Sequence, residues 1–511
     1  MTERRLTFPV AVILGAAALM TPSFIAGHPS VFPDTSAYHL IGQWFAEQAG
    51  LRIDHGFGVI RHHDLAYFFT MAGARSPYYG ELLFLVTVRG SAWAMAALQA
   101  LAASALTALT LRVTQRGFRG WQFALAIAVL TFASTLPFFV SFIMPDVFLG
   151  LGALAAILLL AYFDRLRRLE RWGLAAFLAA ALTFHATNPP AVAALVAVGA
   201  AALVGRALPA RPARAGLAMV IAALGVSAVA AAVYPISVRA LTHHELARPP
   251  FLTARVLADG PGRVFLRSAC AHGSPYVLCR FKDLPLTDAN DILWGVSRAK
   301  GVFEPADYAT RLALVHEESR FVADAFAAHP LAITRDLLVD GVHELVVVTV
   351  VDTLGYFDRT LIAHGPRFAP PFGPIRFCVR RPSYCYPTAL QVGWDTVLNI
   401  SMALSAAYLV ARLLLSRMTV RLVFHRAPLS PRLAVAVTAV LVLLAANALL
   451  CGALSGVYPR YQTRIEWLAP LFAVLAWLEN ARRPVRLRQG AAEFEVAPAP
   501  APERATVSEP L

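Results

Sequence analysis

The sequence predicts an all-α, polytopic membrane protein, and three observations predict it. The 511 residues are 58% hydrophobic and 15% charged, with a mean hydropathy of +0.59, too apolar for ordinary soluble domains. Apolar runs long enough to span a bilayer recur along the chain. The arginines between them fall in short clusters, so the formal net charge of +14 reads as topology under the positive-inside rule, and nucleic-acid binding is not expected.

The runs lie near 7–26, 83–111, 121–140, 146–163, 172–187, 189–205, 215–238, 394–415, 433–454 and 466–479, which makes about ten transmembrane helices. "MTERR" precedes the first run, and "LRVTQRGFR", "DRLRRLERW", "RALPARPAR", "SRMTVRLVFHR" and "ENARRPVRLR" separate later ones. Placing these basic segments in the cytoplasm puts both termini there. The first run resembles a secretory signal peptide in its flanking arginines, but its length and the runs that follow predict an uncleaved anchor.

The opposite, external side then receives a long first loop at 27–82, "LPFFVSFIMPD", "HATNPP", a large segment at 240–393 and "SGVYPRYQTRIEW". In the first loop, Tyr38, Ile41, Trp44 and Phe45 follow helical spacing, which predicts an amphipathic interfacial helix over 36–48. The large segment carries helical patterns at 306–328 and 330–350 joined by Pro/Gly-rich connectors, long enough for a domain of its own. "VHELVVVTVV" within it is too short and too charged at its start to be an eleventh crossing.

The expected organisation is therefore an N-terminal membrane module (1–239, about seven spans), a mainly helical external domain between the seventh and eighth spans (240–393), a C-terminal membrane module (394–480, about three spans) and a disordered cytoplasmic tail (481–511). Four of the five cysteines, Cys270, Cys279, Cys378 and Cys385, form two close pairs in the external segment, as an oxidising compartment permits, with connectivity left open. Cys451 lies in a span and reads as a small buried hydrophobe.

Several polar groups gather at external span ends: Asp34, Asp54, His55, Asp146, His185, Asn188, Arg460 and Arg464. Charge near hydrocarbon is costly, which makes each a candidate site residue. Asp34 and Asp146 both open helices, where a carboxylate can instead act as a cap. Arg460 and Arg464, four apart in "YPRYQTRIEW", share a helix face and suit a phosphate or pyrophosphate, with Glu466 as a candidate ion-pair partner. Asp54, His55, His62, His63 and Asp64 include metal-ligand types without a recognised spacing, so no cofactor is assigned and a divalent cation stays open. No phosphate-cradling glycine loop and no nucleophile elbow occur, so a nucleotide-driven pump or a serine hydrolase is unsupported.

An aspartate just beyond the first span (Asp34), a long external loop, a second acidic motif "MPD" at Asp146 and a basic aromatic motif "YPRYQTRIEWLAPL" leading into a late span together resemble the glycosyltransferase-C superfamily, in a bacterial branch. The likeness covers the first two hundred residues and about 455–475. It departs in having a single Asp34 followed by Thr35, where an acidic pair is frequent, and in placing the large external segment internally. The resemblance implies an inner-membrane enzyme that transfers a sugar from a polyprenyl-phosphate donor to an envelope glycan, lipid or protein acceptor on the external face. By the same resemblance Asp34 is the catalytic base, Asp146 a second catalytic residue that helps position substrate, and Arg460 and Arg464 bind the lipid phosphate; Asp54, His55 and His185 are the remaining substrate-binding candidates. The competing readings are a transporter or flippase of lipid-linked precursors, and a non-catalytic scaffold for envelope assembly. Polar residues at span ends, and not at midplane, favour the enzyme.

Overall fold

The computed structural model describes residues 3–51, 65–87, 91–350, 388–417 and 428–481. Their regular structure is helical, with an isolated parallel bridge between Ser30 and Phe142. The first apolar run forms α1 (Glu3–Leu19) and α2 (Thr21–Ala26); Pro22 in the first turn of α2 removes a backbone donor, and the Thr21 hydroxyl donates instead to the Ala18 carbonyl at 2.6 Å. The polar segment after the first apolar run contains α3 (Pro33–Gln48) and α4 (Leu65–Ala74), and α5 (Pro77–Thr87) follows. The amphipathic helix expected over 36–48 is thus present and begins three residues earlier.

Next come α6 (Ala92–Thr114), α7 (Gly120–Phe132), α8 (Leu136–Val140), α9 (Val147–Tyr162), α10 (Arg168–Thr183), α11 (Asn188–Val204) and α12 (Ala210–Thr242). The segment after α12 carries α13 (Phe251–Asp259), α14 (Pro261–Ala271), α15 (Ala289–Trp294), α16 (Tyr308–Ala328) and α17 (Pro330–Val346). The chain closes with α18 (Thr388–Arg417), α19 (Pro431–Leu454), α20 (Pro459–Glu466) and α21 (Leu468–Ala481).

Among the described residues, five stretches are long and apolar enough to cross a membrane: Ala92–Thr114, Val147–Arg165, Ala210–Thr242, Gly393–Leu414 and Pro431–Leu454. Phe8–Leu19, Gly120–Phe132 and Asn188–Val204 are shorter apolar helices. The difference from ten full-length runs has local causes. The run at 83–111 is divided, and Ser91 caps α6 by accepting the Trp93 N–H. The run at 121–140 is divided where the Ser134 hydroxyl accepts the Leu136 N–H and Pro137 restarts the chain as α8. The run at 466–479 is only the later part of a broken pair, α20 and α21.

Helix α9 is the axis of the bundle, and every residue from Val147 to Tyr162 is buried. Gly150 permits this at its site end: a Cβ there would lie 2.6 Å from Nε1 of Trp467, which packs directly on the helix. By contrast α12 shows Ile221, Val226, Val229, Val233 and Ile236 on its outer side, as a lipid-facing helix would.

The segment from α13 to α17 has its own core around Leu257, Leu266, Phe303, Leu314 and Phe321, and a Cys270–Cys279 disulfide ties α14 to the 3-10 turn Val277–Phe281. Cys378 and Cys385 lie outside the described residues. Asp307 caps α16 by accepting the Thr310 N–H, so the helical pattern at 306–328 starts at Tyr308. The pattern at 330–350 ends earlier, at Val346, because Val350 N–H and the Thr349 hydroxyl turn to the Asp395 carboxylate of α18. Contacts on both α4 and α19 join this segment to the bundle. Arg311 donates to the Thr70 hydroxyl of α4 at 2.7 Å, and Gly341 lets α17 lie against Leu449 of α19.

Candidate active site

Two carboxylates far apart in sequence, Asp34 and Asp146, meet because their loops are stitched together. Ser30 N–H donates to the Ser141 carbonyl and Ile143 N–H returns to the Ser30 carbonyl, both at 2.8 Å. Gln99 of α6 holds the second loop by donating to the carbonyls of Val140 and Phe142 at 3.0 Å. The Thr35 hydroxyl joins the two, accepting the Phe32 N–H and donating to the Ile143 carbonyl, each at 2.9 Å.

That hydroxyl also decides the role of Asp34. Thr35 satisfies the start of α3, and the Asp34 side chain makes no cap bond there. It turns instead to Arg75, whose Nη2 lies 2.5 Å from Oδ1. Helices α3 and α5 can bring these together because Gly42 and Gly80 meet face to face; a Cβ on Gly42 would sit 2.0 Å from the Gly80 carbonyl oxygen. Burial pushes the Asp34 carboxyl up, but the charges of Arg75 and Arg460 outweigh it and hold the group below its ordinary value. Asp34 is therefore ionised at neutral pH.

Asp146 precedes α9 and likewise makes no cap bond. It is buried, and its carboxylate lies 3.6 Å from Arg460 Nε and 3.8 Å from Arg464 Nη1. These are charge pairs longer than hydrogen bonds. Helix α20 supplies both arginines from one face, as the spacing of four predicts. Arg460 lies over the Phe32 ring at 4.5 Å. Arg464 is fully buried; its Nη2 donates to Thr187 at 3.0 Å and to Asn447 at 2.9 Å, and contacts the Cys451 sulfur at 3.3 Å. Cys451 thus belongs to a polar network and is not merely a small hydrophobe. His185 reaches the same network, its Nδ1 2.8 Å from the Thr187 hydroxyl. Asn188 has a local task, donating to the Ala181 carbonyl.

Three guanidiniums, Arg75, Arg460 and Arg464, thus face two carboxylates. Arg460 Nη1 and Arg464 Nε and Nη1 are buried with no hydrogen-bond acceptor among the described residues. An uncompensated positive charge with unused planar donors is a receptor for an oxyanion. The chain matches no family model, no curated protein and no solved structure.

Asp34, Asp146, His185, Arg460 and Arg464 are therefore brought to one end of the bundle. Asp54 and His55, with His62, His63 and Asp64, lie outside the described residues. Glu466 pairs with neither arginine; both turn to Asp146, and Glu466 faces the other side of α20. Two residues escaped the sequence reading. Arg75 links the site to the segment after α12, its guanidinium 5.4 Å from the Trp294 ring of α15; an arginine in a loop expected to be external, where the positive-inside rule disfavours it, was the available signal. Glu344 of α17 accepts the Tyr458 N–H at 2.8 Å just before α20, and burial pushes its carboxyl up to about 8. Nothing in the local sequence of Glu344 marks it, since its partner is 114 residues away.

Proposed function

We propose that this chain is a membrane glycosyltransferase of the glycosyltransferase-C type, acting on the external face of a bacterial inner membrane. On this reading the chain crosses the bilayer about ten times, the shorter apolar helices included, with both termini in the cytoplasm. The observation that carries it is the unused guanidinium donors of Arg460 and Arg464, with Arg460 close enough to act electrostatically on the ionised Asp34. The arginine pair receives the phosphate of a polyprenyl-phosphate sugar whose tail stays in the bilayer.

The chemistry follows from those positions. An acceptor hydroxyl oxygen bonds to the anomeric carbon, Asp34 takes the hydroxyl proton, and the bond from the anomeric carbon to the phosphate oxygen breaks. The electron pair leaves with the phosphate, whose added negative charge Arg460 and Arg464 stabilise. Asp146 acts through the arginines by holding both guanidiniums in place before the donor arrives. Arg75 keeps Asp34 ionised and moves aside, or shares it, when the acceptor hydroxyl approaches. His185, through Thr187, braces Arg464.

The test is transfer of labelled sugar from a polyprenyl-phosphate donor to extracted envelope acceptors, in membranes carrying wild type or equally expressed Asp34→Asn. Transfer that the substitution reduces by about 100-fold or more supports the base role. Transfer unaffected by it removes Asp34 from the chemistry, and complementation by Asp34→Asn of a deletion strain would point to the scaffold or transport readings.

A further inference from the structure

Glu466 is the last residue of α20 and is 2% exposed, yet neither carboxylate oxygen has a hydrogen-bond partner among the described residues. Its backbone belongs to the helix that carries the two site arginines, but its side chain lines a separate small pocket. That pocket is bounded by Ser134 and Thr135 between α7 and α8, Leu398 and Met402 on α18, and Trp467 and Pro470. The hydroxyls on this lining are already committed: Ser134 donates to the Leu130 carbonyl and Thr135 to the Thr463 carbonyl. The pocket's remaining walls are apolar, so no donor among the described residues meets the carboxylate.

The charged groups around it are also committed. Arg460 and Arg464 on its own helix turn to Asp146. Glu344, from α17, accepts the Tyr458 N–H, and Asp395, from α18, accepts from Thr349 and Val350. The groups lining the pocket from α7, α8 and α21 carry no charge. Of the four described carboxylates in this region, Asp146, Glu344, Asp395 and Glu466, Glu466 alone has neither a cation nor a donor among the described residues. A carboxylate buried in that state is far more costly than the neutral acid.

We propose that Glu466 is a proton-binding site, carried as the neutral acid inside the bundle and charged only when the proton leaves through this pocket. Loss of the proton places a negative charge on the helix that also holds Arg460 and Arg464, which gives external pH a route to the arginine pair. The site is defined without reference to sugar transfer and stands or falls separately from it.

Full-length protein in its membrane is treated with dicyclohexylcarbodiimide, an apolar reagent that attacks neutral carboxyls within hydrocarbon, and the peptide containing Glu466 is quantified by mass spectrometry. The expected result is an adduct on Glu466 at neutral pH whose rate falls about tenfold per pH unit once the acid ionises. Labelling that is blocked by sodium at constant pH assigns the site to a metal cation and overturns the proposal, as does labelling indifferent to pH. Infrared difference spectra of wild type and Glu466→Gln provide a readout that needs no reagent access. A protonated-carboxyl C=O band present at neutral pH and lost in the variant supports the neutral acid; spectra without that difference overturn it. Glu466→Gln mimics the neutral acid in shape and charge, so it is expected to fold and to keep the wild-type thermal midpoint.

Discussion

Asp146→Asn is the perturbation that most directly probes the site, because one buried carboxylate is shared by two buried guanidiniums and offsets part of their charge. At 3.6 and 3.8 Å, each pair has an attraction of about 4.5 kcal/mol at an effective dielectric constant of about 20. Desolvation of all three groups offsets much of that sum, and the measurable quantity is the cost of leaving the arginines uncompensated, about 3–5 kcal/mol. Asparagine keeps the side-chain shape, so the loss is electrostatic and not a cavity. The assay is thermal unfolding of the purified full-length protein in detergent, read as an unfolding rate because membrane proteins seldom refold on cooling. Asp146→Asn should unfold faster than wild type, and inorganic pyrophosphate should slow it more than it slows wild type, since the anion replaces the missing charge. A double-mutant cycle with Arg464→Met should show coupling above about 1 kcal/mol. Wild-type unfolding kinetics in Asp146→Asn, with no response to the anion, would refute the charge-compensation argument.

Three further expectations concern the surroundings. Arg75→Gln removes the principal charge that holds the Asp34 carboxyl low while leaving the burial that pushes it up, so the acid limb of the transfer rate should move to higher pH; an unmoved limb would separate Asp34 from that limb. Glu344 works in the opposite sense: between its ordinary value of 4.5 and about 8 the folded chain holds a proton that the unfolded chain has lost, so stability falls as pH rises across that window, and Glu344→Gln should flatten the dependence. Replacing Cys270 and Cys279 together by serine opens a short loop, nine residues apart in sequence, and should cost the α13–α17 segment about 2.5–3 kcal/mol, read by limited proteolysis of that segment.

Much of the architecture was legible because a bilayer requires long apolar runs and the arginine clusters mark their ends. The breaks within runs were not, since they depend on single hydroxyls that find a backbone donor, Ser91 at α6 and Ser134 before α8. At the site, the spacing of Arg460 and Arg464 could be read because four residues return to one helix face. Whether Asp34 and Asp146 were caps could not, because each aspartate stands at a helix start and the competing arrangement involves Arg75 in one case and α20 in the other. Cys451 and Glu344 were passed over for the same reason: their chemistry is created by a tertiary neighbour, Arg464 or Tyr458, which periodicity does not contain.

The stitched loops explain why such a site can persist on so apolar a frame. A buried pair of arginines is unfavourable unless a carboxylate reaches them, and Asp146 reaches them from a loop whose backbone is tied to the Asp34 loop by Ser30, Ile143 and Thr35. Each of those hydrogen bonds contributes only about 1 kcal/mol, but together they fix the position of both carboxylates relative to the same guanidiniums. Thr35 is the economical point at which to break this arrangement. Thr35→Val keeps the side-chain volume while removing the hydroxyl that serves both loops, which leaves the Phe32 N–H and Ile143 carbonyl without that partner. The expected result is a loss of about 1–3 kcal/mol of stability together with reduced anion binding, although Thr35 touches neither arginine. Stability lost with anion affinity unchanged would mean that the two carboxylates are positioned by their own helices, and that the loop stitching is packing alone.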